Sequence, residues 1–414
     1  MPLKQFFQLY KKYIFAIGII ILIFCCIYTF SLSSDKRLKS EYNKILLDLQ
    51  GSANSDKDSL TACKKMLELA EKDYTPAQRF VGKYYKNKGN FAQFEYWLTK
   101  AAEQGDTIAA VHLGVCYSYG TCVKKNYSKA FYWYIKAAKQ GVAIAQFNLG
   151  LCYEKGEGTQ QDFSKAVYWY EKAAEQGYAY AQCNLGVCYE KGLGEQQDFS
   201  KAVYWYEKAA EQGYANAQCN LGVCYEKGLG EQQDFSKAVY WYEKAAEQGY
   251  ANAQFNLGMC YGKGEGIQQD FSKAVYWYTK AAEQGLAEAQ CNLGYSYSNG
   301  QGITQDHSKA VYWYTKAAEQ GLAIAQSNLG TYYDKGKGIT QDYSKAIYWY
   351  TKAAEQGYVG AQFNIGLFYY KGKSKNDDAF TNYSKAIYWL SRAADQGDKD
   401  AIKILRANGV KKAR

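Results

Sequence analysis

Side chains able to carry catalysis or bind a metal are few in this sequence. Histidine occurs twice, at His112 and His307, and neither has cysteine or aspartate partners at the spacing of a metal site. A nucleophile activated by histidine needs both groups within hydrogen-bond reach, and the sequence offers no such set. We therefore expect no enzyme activity, no metal and no cofactor.

Glycine pairs such as Gly156-Glu157-Gly158 resemble loops that bind phosphate ahead of a helix. Here each pair follows a predicted helix instead of opening one. Glycine at that place is typical of a helix C-cap, because it adopts a positive φ without strain. No Walker or Rossmann pattern follows a predicted strand. The glycine pairs are therefore interpreted as structural.

The 12 cysteines are the remaining reactive groups. Most recur at fixed spacing in two series: Cys116, Cys152, Cys188, Cys224 and Cys260, then Cys183, Cys219 and Cys291. A free cysteine behaves as a small buried hydrophobe, so packing is the simplest interpretation. Unpaired cysteines also favour a reducing compartment.

The elements that position these residues belong to a repeat. The pentapeptide Ala-Ala-Glu-Gln-Gly at Ala101 returns every 36 residues, and its last copy, at Ala393, comes 40 residues after the copy before it. Within one unit, Ala181, Leu185 and Tyr189 form one helical stripe, which predicts a first helix. A second stripe begins at Ala202 and predicts a second helix. Because neither helix buries its stripe alone, stacking of neighbouring units is expected.

The start of each second helix is marked by Asp or Asn, as an N-cap requires. The nine predicted caps are Asn90, Asn126, Asp162, Asp198, Asp234, Asp270, Asp306, Asp342 and Asn382. One tryptophan per unit stands at a fixed place in the second helix, and these nine are all that the chain has. A ladder of this kind is either a binding surface or packing, and packing is favoured because aromatic residues commonly fill cores.

The unit resembles the Sel1-like repeat, a relative of the tetratricopeptide repeat. The residues that carry the resemblance are Ala181, Leu185-Gly186, Tyr189, Gly192-x-Gly194, Asp198, Lys201-Ala202, Trp205-Tyr206, Lys208-Ala209-Ala210 and Gln212-Gly213. It implies an all-α fold, a right-handed superhelical solenoid of stacked helix pairs that scaffolds protein complexes. The alternative is a secreted or envelope effector or hydrolase that resembles the cysteine-rich Sel1-like proteins, in which a disulfide bridges the two helices of each repeat. This chain has Ala209-Ala210 where the partner cysteine would lie, so that alternative is disfavoured.

An apolar run without charge extends from Ile14 to Ser34, close to the roughly 20 residues that span a bilayer as a helix. We interpret it as one uncleaved transmembrane helix; a cleaved signal peptide is the alternative, although this run is longer than a usual signal core. The predicted organisation is a cytoplasmic tail (1–13), a transmembrane helix (14–34), a linker (35–59), a half-repeat cap (60–76), nine repeats (77–397) and a capping helix with a basic tail (398–414).

Charge gives the remaining clues to location and partners. Lysines flank both sides of the apolar run, so the positive-inside rule discriminates weakly. The short N-terminal tail with its three lysines favours a cytoplasmic N-terminus and a solenoid outside the cytoplasm, and a cytosolic solenoid stays open. The resemblance to the Sel1-like repeat implies a bacterial origin. Of the net charge of +10, four charges lie in residues 1–50 and five in 401–414. The nearly neutral repeats exclude a nucleic-acid partner on charge grounds.

A partner-binding surface is predicted on the first helices, which vary mainly at two positions expected to face outward. One of these positions holds Phe147, Cys183, Cys219, Phe255, Cys291, Ser327 and Phe363 in successive repeats. An asparagine recurs there, beside a variable position, and the candidate residues are Asn148, Asn184, Asn220, Asn256, Asn292, Asn328 and Asn364 with Val187, Val223, Met259 and Tyr295. Amide side chains both donate and accept, so a spaced row suits an extended peptide backbone. Alternatively, the asparagines hydrogen-bond between adjacent repeats. The sequence thus predicts a membrane-tethered scaffold whose concave groove binds a protein or peptide.

Overall fold

The computed structural model describes residues 35–47, 56–374 and 377–410. Within these ranges the chain is entirely helical apart from turns and loops. The helices are α1 (35–47), α2 (Asp56–Glu71), α3 (Thr75–Asn87), α4 (Phe91–Glu103), α5 (Thr107–Tyr119), α6 (Tyr127–Lys139), α7 (Ala143–Lys155), α8 (Phe163–Glu175), α9 (Ala179–Lys191), α10 (Phe199–Glu211), α11 (Ala215–Lys227), α12 (Phe235–Glu247), α13 (Ala251–Lys263), α14 (Phe271–Glu283), α15 (Ala287–Asn299), α16 (His307–Glu319), α17 (Ala323–Lys335), α18 (Tyr343–Glu355), α19 (Val359–Tyr370), α20 (Ala379–Asp395) and α21 (Lys399–Ala407).

Helices α3 to α20 alternate as first and second helices of a repeat. Each helix packs on the other helix of its own repeat and on the neighbouring helix of the adjacent repeat. The first helix ends at a left-handed glycine, as at Gly228 with φ 67°. The second begins at a capping aspartate, as at Asp234, whose carboxylate accepts from the Lys237 amide at 2.9 Å. The predicted caps are thus confirmed in the repeats whose first helix ends at a left-handed glycine and whose second helix begins at a capping aspartate. An all-helical solenoid of stacked pairs follows.

The core depends on glycine in the first helix and tyrosine in the second. Tyr242 is completely buried, and a Cβ on Gly222 would stand 2.5 Å from its ring. Such a distance is shorter than any ordinary carbon contact, so only glycine lets the ring lie flat on the first helix. Gly258 and Tyr278 repeat the arrangement one unit later. This packing places each tyrosine hydroxyl beside the end of the first helix.

Rows of buried glutamines join the ends of the helices. Gln218 donates to the carbonyl of Ala210 at 3.1 Å and accepts from Gln248 at 2.7 Å. The Ala210 carbonyl lies at a helix end and also accepts from the Gly213 amide at 3.0 Å, so the glutamine adds a second bond to a carbonyl with two lone pairs. The glutamine therefore fixes how one helix pair meets the next.

The last repeat departs from the predicted cap. Helix α20 is capped by Asp378, which accepts from the Thr381 amide at 2.6 Å, instead of by Asn382. Asn382 is buried inside the helix and donates to the carbonyls of Ser374 and Asp377. The four extra residues of this repeat extend the helix backwards by one turn, so the prediction for Asn382 was wrong.

The structure adds a helix within the segment interpreted as a linker. In α1, Ile45 is buried and packs with Met66 and Leu69 of α2. The predicted membrane segment 14–34 lies outside the described residues. Among the residues that are described, no helix is both long enough and apolar enough to cross a membrane.

The described chain divides into two compact units. The first holds the residues up to Ala181 together with Gly192–Gln196, and the second holds Gln182–Lys191 together with the residues from Gln197 onward. The division falls within α9. Each unit has the same local packing of first helix on second helix, and the candidate sites are described below one unit at a time.

Candidate functional site

The predicted asparagines all lie half-buried on first helices. Three contact the preceding repeat: Asn256 donates to the Cys219 sulfur at 3.8 Å, and Asn364 donates to the Ser327 hydroxyl at 3.5 Å. Asn292 donates to the Met259 sulfur at 3.1 Å. Two others bond within their own helix, Asn148 to the carbonyl of Ile144 and Asn220 to the side chain of Asn216; Asn184 and Asn328 complete the row. The structure thus places part of the row in contacts between adjacent repeats.

The variable positions differ in exposure. Val187, Val223 and Met259 are half-buried, whereas Tyr295 is 53% exposed. A second variable position was expected to face outward, but its cysteines Cys183, Cys219 and Cys291 are buried, and so is Ser327. The helical wheel of one helix does not show that the next repeat covers this side, which is why that expectation failed.

The tryptophans pack, as the sequence favoured. Trp97 and Trp133 are buried, and each meets the ring of the preceding tyrosine edge-on, with centroids 5.0 Å and 4.8 Å apart. The partner tyrosines, Tyr96 and Tyr132, remain about half exposed. Trp389 is buried too, and the other six tryptophans are half-buried, so the ladder packs at the edge of the core while Tyr96 and Tyr132 face solvent.

Three predicted residues converge on a cleft in the second unit. Met259, Asn292 and Tyr295 line a space of about 320 Å³ between α13, α14 and α15. The other lining residues are Gly262, Lys263, Phe271, Ala274, Tyr278, Ser296 and Gln301. We refer to this space as the Gly262 cleft. It has a half-buried floor and an exposed rim at Tyr295 and Lys263.

The Gly262 cleft exists because one side chain is missing. The equivalent residue is Glu154, Glu190 or Glu226 in the three preceding repeats. A Cβ on Gly262 would lie 3.3 Å from the Tyr278 hydroxyl. The side chain that would continue from that Cβ is absent, so the hydroxyl faces the cleft.

Polar groups in the Gly262 cleft have weak partners. The Tyr278 hydroxyl donates to the Met259 sulfur at 3.2 Å, and the Asn292 amide donates to the same sulfur at 3.1 Å. A thioether is a weak acceptor, so both donors remain suited to a better one. Burial raises the pKa of Tyr278 to about 12, although the hydrogen bond with Asn292 opposes the rise. The hydroxyl is therefore neutral near pH 7 and acts as a donor, not as a base.

Sequence reasoning missed Gly262 and Tyr278. Their signal was present, since Gly262 is the one glycine at a position held by Glu, Ser or Asp in the repeats from residue 107 to 358. Alignment of the repeats by register reveals it. What the sequence could not show is that the tyrosine hydroxyl of the second helix meets this position.

A second cleft lies in the first unit. Its space of about 400 Å³ is lined by Arg79, Lys83, Lys86 and His112, together with apolar residues that include Phe80. Burial lowers the pKa of His112, and the neighbouring cations lower it further. Arg79 pairs with Asp106 at 2.6 Å. This cleft carries an excess of positive charge but no catalytic set.

The described cysteines are free and buried. Burial raises the pKa of Cys219, Cys260 and Cys291 to about 12, with nearby carboxylates adding to the rise. Thiols with such pKa values are poor nucleophiles and poor metal ligands. Over the residues that the structure describes, no three His, Cys, Asp or Glu side chains gather as a metal site would require.

Stacked pairs of short capped helices define the class of helical repeat proteins related to the tetratricopeptide repeat. A family model, Sel1 repeat, matches residues 95–106, 107–142, 143–178, 179–214, 215–250, 251–286, 287–322, 323–358 and 359–398. The chain belongs to the Sel1 repeat family.

Solved structures agree with this assignment. The chain is 37% identical to c5321, a protective antigen present in uropathogenic Escherichia coli strains that displays an SLR fold, with a TM-score of 0.73 over 85% of this chain and 76% of that one. It is 33% identical to a Sel1 repeat protein from Oxalobacter formigenes, with a TM-score of 0.61 over 73% of this chain and 90% of that one. No match was found among curated proteins.

Proposed function

We propose that this chain is an interaction scaffold that binds a partner protein or peptide on its first helices, and that it is not an enzyme. The observation that carries the proposal is where the repeats differ. The second helices α8, α10 and α12 are identical in sequence, whereas α9, α11 and α13 differ from one another. The first-helix differences include Met259 and Gly262, which open the cleft beside Asn292. Met259 and Gly262 are half-buried, so these two differences alter the surface, whereas the change from Cys219 to Phe255 falls at a position that is buried in α11.

The asparagine row supports an extended peptide as the partner. Its amides are spaced by one repeat and lie half-buried, with Asn292 at the Gly262 cleft. An amide bound to a sulfur exchanges that weak partner for a peptide carbonyl at little cost. The peptide would then follow the row, with the variable neighbours setting its sequence preference.

A membrane tether is the second part of the proposal. The uncharged run 14–34 would anchor the chain with its N-terminus in the cytoplasm and the repeats on the other side. Free cysteines do not oppose an oxidising compartment here, because buried thiols of high pKa react slowly. Both solved relatives come from bacteria, which supports a bacterial origin. The described cysteines are unbridged, which argues against a hydrolase of the cysteine-rich kind.

The test of partner binding is selection of peptides from a random displayed library on the full-length chain. Asn220, Asn256 and Asn292 are then changed together to alanine. Loss of binding with unchanged helicity by circular dichroism is the expected result. If the triple variant unfolds, the asparagines serve packing between repeats, and if it binds as well as the parent, the row is not the binding surface.

The test of the tether uses intact cells treated with a protease that does not cross membranes. Digestion of the repeats without rupture of the inner membrane is expected for an N-terminus in the cytoplasm. Repeats that resist the protease until that membrane is broken would place them in the cytosol instead.

A further inference from the structure

In the three repeats before α13, the hydroxyl of the tyrosine equivalent to Tyr278 binds a carboxylate. Tyr206 donates to the carboxylate of Glu190 at 2.5 Å, and Tyr242 donates to that of Glu226 at 2.5 Å. Tyr170 donates to Glu154 in the same way. The chain therefore carries three copies of a carboxylate that fits between the end of a first helix and the tyrosine of the second.

At Gly262 the same tyrosine has no carboxylate. The backbone around Tyr278 repeats that around Tyr242, because Gly258 packs against its ring as Gly222 does against the other. What differs is the missing side chain and the sulfur of Met259, which takes its place as acceptor. The site thus retains the geometry that binds a carboxylate while lacking the residue that supplies one.

The walls of the Gly262 cleft favour an anion. None of its lining residues is acidic, and Lys263 stands at the rim. Lys263 pairs with Glu265 at 3.3 Å, a contact between two side chains that are partly exposed and readily exchanged. The hydroxyl of Ser296 lies in the wall where the preceding repeat has Cys260. The Ser296 hydroxyl already donates to the carbonyl of Asn292 at 3.0 Å, so a carboxylate entering the cleft would meet the donors of Tyr278 and Asn292.

We propose that the Gly262 cleft receives the carboxylate of a glutamate side chain from the bound partner peptide, in the position that Glu226 occupies one repeat earlier. This inference rests on the proposed scaffold function and names one feature of its partner. The peptide glutamate displaces the Met259 sulfur as acceptor of the Tyr278 hydrogen bond, while the peptide backbone passes the exposed ring of Tyr295. A hydrogen bond to a charged acceptor is stronger than one to a neutral sulfur, so the Tyr278 hydroxyl favours the peptide carboxylate over the Met259 sulfur.

The test uses the same displayed library on the full-length chain and on three variants. Gly262→Glu fills the cleft with the side chain of the neighbouring repeats. Tyr278→Phe keeps the ring and removes the donor. Ser298→Glu is the matched control, because it adds the same side chain at the same repeat position one unit later, outside the Gly262 cleft. Circular dichroism confirms that each variant is folded.

Peptides selected on the parent chain are expected to share a glutamate. A synthetic peptide of this set should bind Gly262→Glu and Tyr278→Phe about tenfold more weakly or worse, and Ser298→Glu unchanged. Exchange of the shared glutamate for glutamine should cost a similar factor on the parent and nothing further on Tyr278→Phe.

Three outcomes would overturn the inference, and they are distinguishable from one another. Selected peptides without an acidic residue, or with apolar residues instead, show that the cleft binds another chemistry. Equal binding to the parent and to Gly262→Glu shows that the peptide lies elsewhere, and the scaffold function then stands without this site. Failure to select any peptide on any variant removes the scaffold function and the inference together.

Discussion

Gln284 donates its side-chain amide to the side-chain oxygen of Gln254 at 2.8 Å, and Gln254 donates in turn to the carbonyl of Ala246 at 3.1 Å. Gln284 also donates to the carbonyl of Gly249 at 2.9 Å. Two successive second helices, α12 and α14, are thereby joined through one side chain of the first helix between them. The bonds hold α14 in register with α12.

Replacement of Gln254 by leucine should destabilise the chain by about 2 kcal/mol or more. Leucine fills the volume but removes the bonds of Gln254 to the Ala246 carbonyl and to the Gln284 amide, and each hydrogen bond contributes about 0.5–1.5 kcal/mol. The measurement is the urea midpoint followed by circular dichroism. Gln268→Leu, in an exposed loop position, is the control. Equal midpoints for the two variants would mean that the glutamine row does not stabilise the stack.

The pair of Tyr206 and Glu190 should show a favourable coupling energy in a double-mutant cycle. Tyr206→Phe removes the hydroxyl, and Glu190→Gln removes the charge of its acceptor. Each change alone should cost about 1 kcal/mol, and the two together should cost less than their sum, because they break one bond. Additive costs would show that the carboxylate is not held by the tyrosine.

Substitutions at Gly262 should stabilise the chain. Gly262 lies in the last turn of α13, where alanine is favoured over glycine by up to about 1 kcal/mol. Gly262→Glu should exceed Gly262→Ala by a further few tenths of a kcal/mol or more, through the new bond to Tyr278. Thermal midpoints of both variants give the comparison. A lower midpoint for the glutamate variant than for alanine would mean that the cleft does not accommodate a carboxylate.

The buried cysteines predict a stability that falls at alkaline pH. The pKa values of Cys219 and Cys260 are raised to about 12 in the folded chain, whereas an unfolded thiol has a pKa of about 8.5. The stabilising contribution is complete below the unfolded value and is lost as the pH rises from there toward the folded value, because the unfolded chain releases protons more readily.

Two measurements check the cysteines. Urea midpoints should fall between pH 8 and pH 10, and the same shift should shrink when Cys219 and Cys260 are replaced by alanine or serine. The described cysteines of the native chain should also react slowly with a thiol reagent at pH 8 and rapidly after unfolding. Rapid labelling of the native chain would contradict their burial.

Local signals in the sequence were sufficient for the fold. The caps and glycine ends are encoded by single residues such as Asp234 and Gly228, whose conformational preferences do not depend on distant parts of the chain. The cap prediction failed at Asn382 because the four extra residues before it move the N-cap of α20 back to Asp378. Repetition hid that difference, since the other eight repeats favoured the same position.

The candidate site was less accessible to sequence reasoning. Met259 was predicted from variation among first helices and Asn292 from the asparagine that recurs beside that position, yet their hydrogen bond joins neighbouring repeats and depends on the spacing between them. Gly262 lacks the glutamate side chain of the preceding repeats, and the effect of this absence is recognisable only from the contact between Tyr242 and Glu226 one repeat earlier. Helix α1 was missed for a simpler reason: Leu38, Tyr42 and Ile45 have helical spacing, but they lie next to a segment that was assigned to a linker.

The glutamine contacts between α12, α13 and α14 recur in the same form in the repeats around them. A recombination between two repeats in the gene would therefore delete or add 36 residues and rejoin surfaces that already match. The Gly262 cleft, built from a few substitutions in one copy, would be carried along the array or duplicated by such an event. Lineages of this gene can thus change how many copies of the cleft they display, and in what order, by recombination between repeats.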